Sequence, residues 1–331
     1  MARYHRDADA VVKTVTDAYD KASDDLLDEI KGIFDTFARN GELSPTSARR
    51  ALNQRIPNPL LKWMKRIYPS IKNERVRRWF RNRFNAPAYR ARVTRLEALR
   101  GSINIHSKVI ADVELTATTN GYMRVISSAY YRSMFDLQKG LGVGFNFASV
   151  PTRTIETILK RPWSGENFSS RVWGNSEVLA KQLTEVLTAG FFSGSSYRKM
   201  RLDIEGRMGV GKHAANRLIR TETTYMSNAA EMEAYEEAEI DRYRFMATLD
   251  NRTSQICRQH DLKIYAVKDA RPGTNMPPLH PYCRSTTIAY FGDVELDRIE
   301  RRARDPETGK TYTVPDSMTY AQWKEKYAQA A

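Results

Sequence analysis

The stretch LIRTETTYMSNAAEMEAYEEAEIDRYRFMATLD, residues 218–250, changes its texture part-way along. Up to about residue 239 its apolar side chains recur at three- and four-residue steps, the spacing of one helix face. Residues 243–249 then form a β-like run, and two more follow at 263–267 and 286–291. Between the last two lies PGTNMPP, residues 272–278, too rich in turn residues for regular structure. Upstream, helical patterns cover 152–160, 169–189, 196–208 and 212–239, punctuated by Pro162, Gly190 and the pair Gly209 and Gly211. The expected class is therefore α+β and predominantly α-helical. A helical N-terminal region precedes a small C-terminal domain of helices plus a short β-meander.

Residues 7–39 place Val11, Val15, Ala18, Ala22, Leu26, Ile30, Ile33 and Phe37 on one face of a long helix that Asn40-Gly41 ends. Ser44-Pro45 is a start signal for a second, short helix. Pro57, Pro59, Pro69 and Pro87 cut the next stretch into short pieces, and 103–139 reads as helix again up to Gly140. GLGVGFNFAS, residues 140–149, is too glycine-rich for helix and reads as a boundary linker or strand. The chain then divides into an amphipathic helical segment (1–48), a basic helical region (49–100), helix and linker (101–149), a main domain (150–291) and a charged tail (292–331). The tail should turn at Asp305-Pro306 and carry a helix near 320–328.

The 331 residues carry 53 Lys and Arg against 39 Asp and Glu, a net charge of +14. Residues 49–100 hold 16 of the cations and two acids, Glu74 and Glu97, so the whole excess sits there. A localised excess of this kind is an electrostatic footprint for a polyanion. The mean hydropathy of -0.59, with no apolar run of spanning length, argues against a membrane protein. The first ten residues lack the apolar core of a signal peptide, and two cysteines cannot build a disulfide framework. The expected compartment is a reducing cytoplasm.

Within the basic stretch, cations alternate with Trp63, Tyr68, Trp79, Phe80, Phe84 and Tyr89. Lys62, Lys65, Arg66, Arg75, Arg77, Arg78, Arg81 and Arg83 are the candidate contacts to double-stranded DNA, through phosphates and without sequence preference. The aromatics can pack beneath the arginines or stack on unpaired bases. A second constellation is Cys257-x2-His260 with His280-x2-Cys283. Two such pairs about twenty residues apart have the ligand types and spacing of a tetrahedral zinc site.

Several segments resemble the phage head morphogenesis family, the Mu F-like minor head or minor capsid proteins of tailed bacteriophages. These are RTETTYMSNA (220–229), ATLDNRTSQIC (247–257) and PPLHPYCRSTTI (277–288), with PWSGENFSSRVW (162–173), RMGVGKHAANRLIRTET (207–223) and VPDSMTYAQW (314–323). The resemblance spans roughly 150–325. It implies a non-enzymatic virion component that is assembled in the bacterial host cytoplasm and resides inside the phage head. It further implies action in procapsid assembly with the portal, the major capsid and scaffolding proteins, and contact with packaged DNA. Many relatives carry Cys-x2-Cys and Cys-Arg-Cys where this chain has Ser254-x2-Cys257 and Cys283-Arg284-Ser285.

Glu222 is the best candidate for a catalytic acid, since it shares a helix stripe with Leu218 and Met226. A structural ion pair with Arg220 or Arg284 is the plainer expectation for it. No HExxH and no GxxxxGK[ST] is present. A metal-dependent nuclease acting on phage DNA is the competing reading.

Overall fold

The computed structural model describes residues 1–38, 43–84, 92–141, 150–292, 300–305 and 308–327. The fold is predominantly helical α+β, as the sequence indicates. Two compact units are each assembled from segments distant in sequence. One comprises residues 10–119 and 169–216, the other residues 1–9, 120–168 and 217–331. The chain thus divides into interleaved units, where the sequence reads as consecutive blocks.

The first unit holds most of α1 (Ala2–Phe37), whose Val11, Val15, Tyr19, Ala22, Leu26, Ile30 and Ile33 are buried at the expected helical spacing. Helix α2 (Pro45–Asn53) starts as its sequence indicates: Ser44 is the N-cap, its side chain accepts from the Ser47 amide, and Pro45 occupies the first turn. The prolines do break the basic stretch into short pieces: β1 (Arg55–Pro57), α3 (Leu60–Ile67) and α4 (Glu74–Phe84). β2 (Arg92–Thr94) pairs antiparallel with β1, and α5 (Arg95–Leu141) begins directly after it. Pro87 and Tyr89 lie outside the described residues. Helix α5 starts eight residues earlier than its sequence pattern suggests. Its start carries a reciprocal cap, with Thr94 N–H on Glu97 Oε2 at 2.7 Å and Glu97 N–H on Thr94 Oγ1 at 3.2 Å. The helix runs through Gly140 to Leu141, so those two residues are not linker; 142–149 lie outside the described residues.

α6 (Thr152–Lys160) and α7 (Phe168–Phe192) match their sequence patterns. The break expected at Gly209 and Gly211 is absent: α8 (Tyr197–Glu237) is one continuous helix. Gly211 instead lets α8 approach Tyr19 of α1, where a Cβ would stand 2.6 Å from Tyr19 Cε1. This glycine serves a close packing contact and not a turn.

The second unit centres on β3 (Arg242–Met246), whose Tyr243 and Phe245 are fully buried. After α9 (Gln255–His260), β4 (Ile264–Ala266) pairs along one edge of β3 and β5 (Thr286–Ala289) along the other, both antiparallel. The order β4-β3-β5 differs from the consecutive order of a simple meander, because the irregular segment 270–285 carries the chain past β3. The tail is more ordered than its charge suggests. β6 (Glu300–Arg304) and β7 (Thr311–Pro315) form a hairpin, and α10 (Tyr320–Tyr327) follows at the expected place. Trp323, Tyr320, Val314 and Ala303 pack around Leu249, giving this end its own small core. Asp305 Oδ1 accepts from the Thr308 amide at 2.7 Å, and Pro306, where the sequence places a turn, lies outside the described residues.

Candidate functional site

The basic face lies on α3 and α4 of the first unit. Its aromatics belong to a core: Trp63, Tyr68, Trp79 and Phe84 pack against buried Leu60, Met64, Ile71, Val76, Phe80 and Ile105. They lie beneath the arginines. The Arg75 guanidinium sits 3.9 Å from the Trp173 ring centroid and Arg83 3.7 Å from that of Trp79. Arg77 lies over Tyr68, and Arg81 is ion-paired with Glu74. Lys62, Lys65, Arg66 and Arg78 remain exposed, with no ion pair among the described residues. Of the eight candidate cations, these four are the most available to a phosphate backbone.

The second unit explains why the quoted motifs occur together. Along α8, Thr221, Thr224, Asn228 and Glu231 recur at three, four and three residues and so share one face. Thr221 Oγ1 accepts from the Tyr282 amide at 3.1 Å, and Thr224 Oγ1 donates to the Cys283 carbonyl at 2.6 Å. The Glu231 carboxylate accepts from the hydroxyls of Thr286 and Thr287 at 3.1 and 3.2 Å. The TETTYMSNAAE face thus holds the PYCRSTT segment in place. Asp250 supplies the second tie: it accepts from the Arg252 amide at 3.0 Å and pairs with Arg284, whose Nη2 stands 2.8 Å from Oδ1. Burial works against the Asp250 charge, yet Arg284 holds its carboxyl below the usual carboxylate range.

These ties bring three of the four predicted metal ligands together. Cys257 Sγ lies 3.2 Å from His280 Nε2 and 3.6 Å from Cys283 Sγ, and both thiols are buried, at 1% and 0% exposure. The donor atoms of the trio all lie within 4.8 Å of one another. The set of two thiols and an imidazole is soft enough for a transition-metal ion, so the trio could hold one. His280 is oriented by its other ring nitrogen, Nδ1, 2.7 Å from the Pro281 carbonyl. The Cys257–Cys283 hydrogen bond holds the Cys283 sulfur well below the usual thiol range and pushes Cys257 up. The same pair lies in an apolar cluster with Phe245 and Ala247.

His260 is a correction. Its Nδ1 is 2.7 Å from the Tyr265 hydroxyl and its ring packs on Phe245, away from the trio. It closes the last turn of α9 at the sheet, so the four-ligand set read from the spacing does not assemble. The Ser254 and Ser285 hydroxyls hydrogen-bond Cys257.

Glu222 is 1% exposed and accepts from Trp163 Nε1 at 3.0 Å. Trp163 in turn stacks on Tyr225 at 5.2 Å. Arg284, one expected partner of Glu222, pairs with Asp250, and Arg220 donates to Asp9 at 2.6 Å. Two buried ion pairs escaped the sequence reading: Arg301 with Asp261 at 2.9 Å and Arg244 with Asp316 at 3.3 Å. Partners 40 and 72 residues apart share no local pattern.

Comparison with known proteins agrees with the resemblance. Residues 181–288 match the family described as Phage Mu protein F like protein. A curated relative, the NAD(+)--arginine ADP-ribosyltransferase EFV of Enterococcus faecalis, is 24% identical over 180 residues, 51% of this chain and 37% of that protein. The chain thus spans little more than a third of that relative's length. No solved structure matches the chain. Among the described residues no helix is long and apolar enough to cross a membrane. The matched residues contain the α8 face, the Asp250–Arg284 tie and the thiol–imidazole trio, and it is over them that the chain is similar to the Phage Mu protein F like family.

Proposed function

We propose that this protein is a minor head protein of a tailed bacteriophage with an architectural role and no catalytic one. It joins the portal, major capsid and scaffolding proteins during procapsid assembly. It stays inside the head, where the exposed cations of α3 and α4 contact packaged double-stranded DNA without sequence preference. The observation that carries this reading is the family match over residues 181–288. The geometry supports the architectural part: Glu222, Glu231, Asp250 and Asp261 are all engaged in holding distant segments together. The transferase activity in the name of the Enterococcus relative is left with that protein. Zinc is the ion assigned to Cys257, His280 and Cys283, as a staple between α9 and the turn before β5.

The test is mass spectrometry of purified procapsids and mature heads, with the chain expected at far below major-capsid abundance. Its absence from both overturns the reading. Purified protein incubated with plasmid and Mg²⁺ or Zn²⁺ should leave the DNA intact; cleavage that Glu222→Gln abolishes would establish a nuclease instead.

A further inference from the structure

A cleft of about 1130 Å³ opens in the second unit beside β5, lined by all of Thr286 to Gly292. β5 is an edge strand, since the described sheet has the order β4-β3-β5. The phase of its hydrogen bonding is fixed by Tyr290 N–H on the Arg242 carbonyl at 3.0 Å. With the register Arg244↔Ile288, residues 286, 288 and 290 address β3, and Thr287 and Ala289 turn their backbone groups outward. The Thr287 amide is taken by the Glu231 carboxylate. The outward N–H and C=O of Ala289 have no partner among the described residues, and Ala289 is one of the residues that line the cleft.

The rim of this cleft is cationic. Arg3, Arg6, Arg132 and Arg302 line it, all exposed, and none has an ion pair among the described residues. Among the described lining residues only Asp136 answers them at the surface, since Glu231 lies on the floor and is spent on Thr286 and Thr287. The walls are partly apolar, with Phe291 45% exposed. A free strand edge is read by another strand, and guanidinium forks read carboxylates.

The geometry points to an extended, acidic segment of a partner protein as the occupant of this cleft. It adds to the edge of β5 as a fourth strand, with its carboxylates on Arg3, Arg6, Arg132 and Arg302. Main-chain bonds to Ala289 set the register, and alternate apolar side chains turn toward Phe291 and the floor. Along Thr286–Ala289 an extended partner has about 13 Å of edge to follow. Phosphate-bearing polymers would meet the same arginines, but their backbones offer no N–H groups to a strand edge. This inference goes beyond the head-protein reading and does not depend on it.

The test uses a fluorescein-labelled octapeptide alternating Glu and Val, with fluorescence anisotropy on the full-length protein. Three controls accompany it: a Lys–Val octapeptide, a Glu–Val octapeptide N-methylated at alternate residues, and oligothymidylate as competitor. The Glu–Val peptide should bind, and the Lys–Val peptide should not. N-methylation in the register that removes the edge bonds should weaken binding at least tenfold. Arg132→Glu with Arg302→Glu should do the same while circular dichroism stays unchanged, because both side chains are exposed. No binding of the Glu–Val peptide overturns the proposal. So does binding indifferent to N-methylation in either phase, or full displacement by oligothymidylate with equal affinity, which would make the cleft a general anion site.

Discussion

Gly211 of α8 stands so near Tyr19 of α1 that a Cβ added there would lie 2.6 Å from the ring. Tyr19 is buried and has little room to yield. Two residues earlier, Gly209 has nothing within 4 Å. The two glycines should therefore respond in opposite directions. Gly209→Ala should raise stability by about 0.5–1 kcal/mol, the helix-propensity difference. Gly211→Ala gains the same propensity but forces a shift costing about 1–3 kcal/mol, for a net loss near 1 kcal/mol. Urea unfolding of both variants checks this, and a gain at Gly211 would remove the close approach from the account.

Burial pushes the Glu114 carboxyl up to about 7 from its ordinary 4.5, and its Oε1 has no hydrogen-bond partner among the described residues. The folded chain keeps a proton that the unfolded chain releases near pH 4.5. This group's contribution is therefore fully present below pH 4.5 and is lost as pH rises through 7. The loss amounts to at most about 3 kcal/mol. Glu114→Gln should gain about 2–3 kcal/mol on the wild type between pH 4 and pH 8. Denaturant midpoints at the two pH values decide it, and a constant difference would refute the shift.

Lys62, Lys65, Arg66 and Arg78 should carry most of the salt dependence of DNA binding. Replacing all four with Gln should flatten the slope of log affinity against log salt by about 3 units, close to one unit per lost phosphate contact. Arg75→Gln and Arg83→Gln should leave the slope nearly unchanged and cost about 0.5–1 kcal/mol of stability each, since their guanidinium groups rest on tryptophan rings. Titrations between 50 and 200 mM salt distinguish the two sets. An unchanged slope in the quadruple variant would remove this face from DNA binding.

Elemental analysis of the purified protein should find about one zinc per chain, and none in Cys257→Ser or Cys283→Ser. Chelation should lower Tm by several degrees, because an ion held by the trio would join α9 to the turn ahead of β5. His260→Ala should retain the metal, since that ring is bound to Tyr265. Should the protein purify without zinc and ignore chelator, the trio is a reduced thiol pair packed as small apolar groups.

Periodic features were the legible ones. The α1 stripe, the Ser44-Pro45 start and the three β-like runs are local, and local patterns record what one face needs to bury. The glycine pair in α8 misled because composition distinguishes no turn from a close packing contact, and only the position of Tyr19 does. His260 misled because ligand spacing constrains the chain between pairs and not the direction of each ring. Asp250, Asp261 and Glu231 escaped notice because their partners, Arg284, Arg301 and Thr286, lie 34 to 55 residues away. The edge of β5 was equally hidden, because strand order is set by the path of 270–285 and not by any periodicity.

The Asp261 carboxylate is satisfied by the Ala247 amide, the Arg301 guanidinium and the Tyr320 amide. Two of those three donors leave the ribosome 40 and 59 residues after it. The first unit, by contrast, draws on no residue beyond 216. Synthesis therefore imposes an order: the first unit can fold while the second waits with a carboxylate it cannot yet bury. At translation rates of roughly 5–20 residues per second the wait lasts about 5–20 s. Through that interval the acid-bearing loop and the half-built sheet remain open to chaperones and proteases. A nascent chain that stalls before Arg301 therefore leaves the second unit with this carboxylate unpaired.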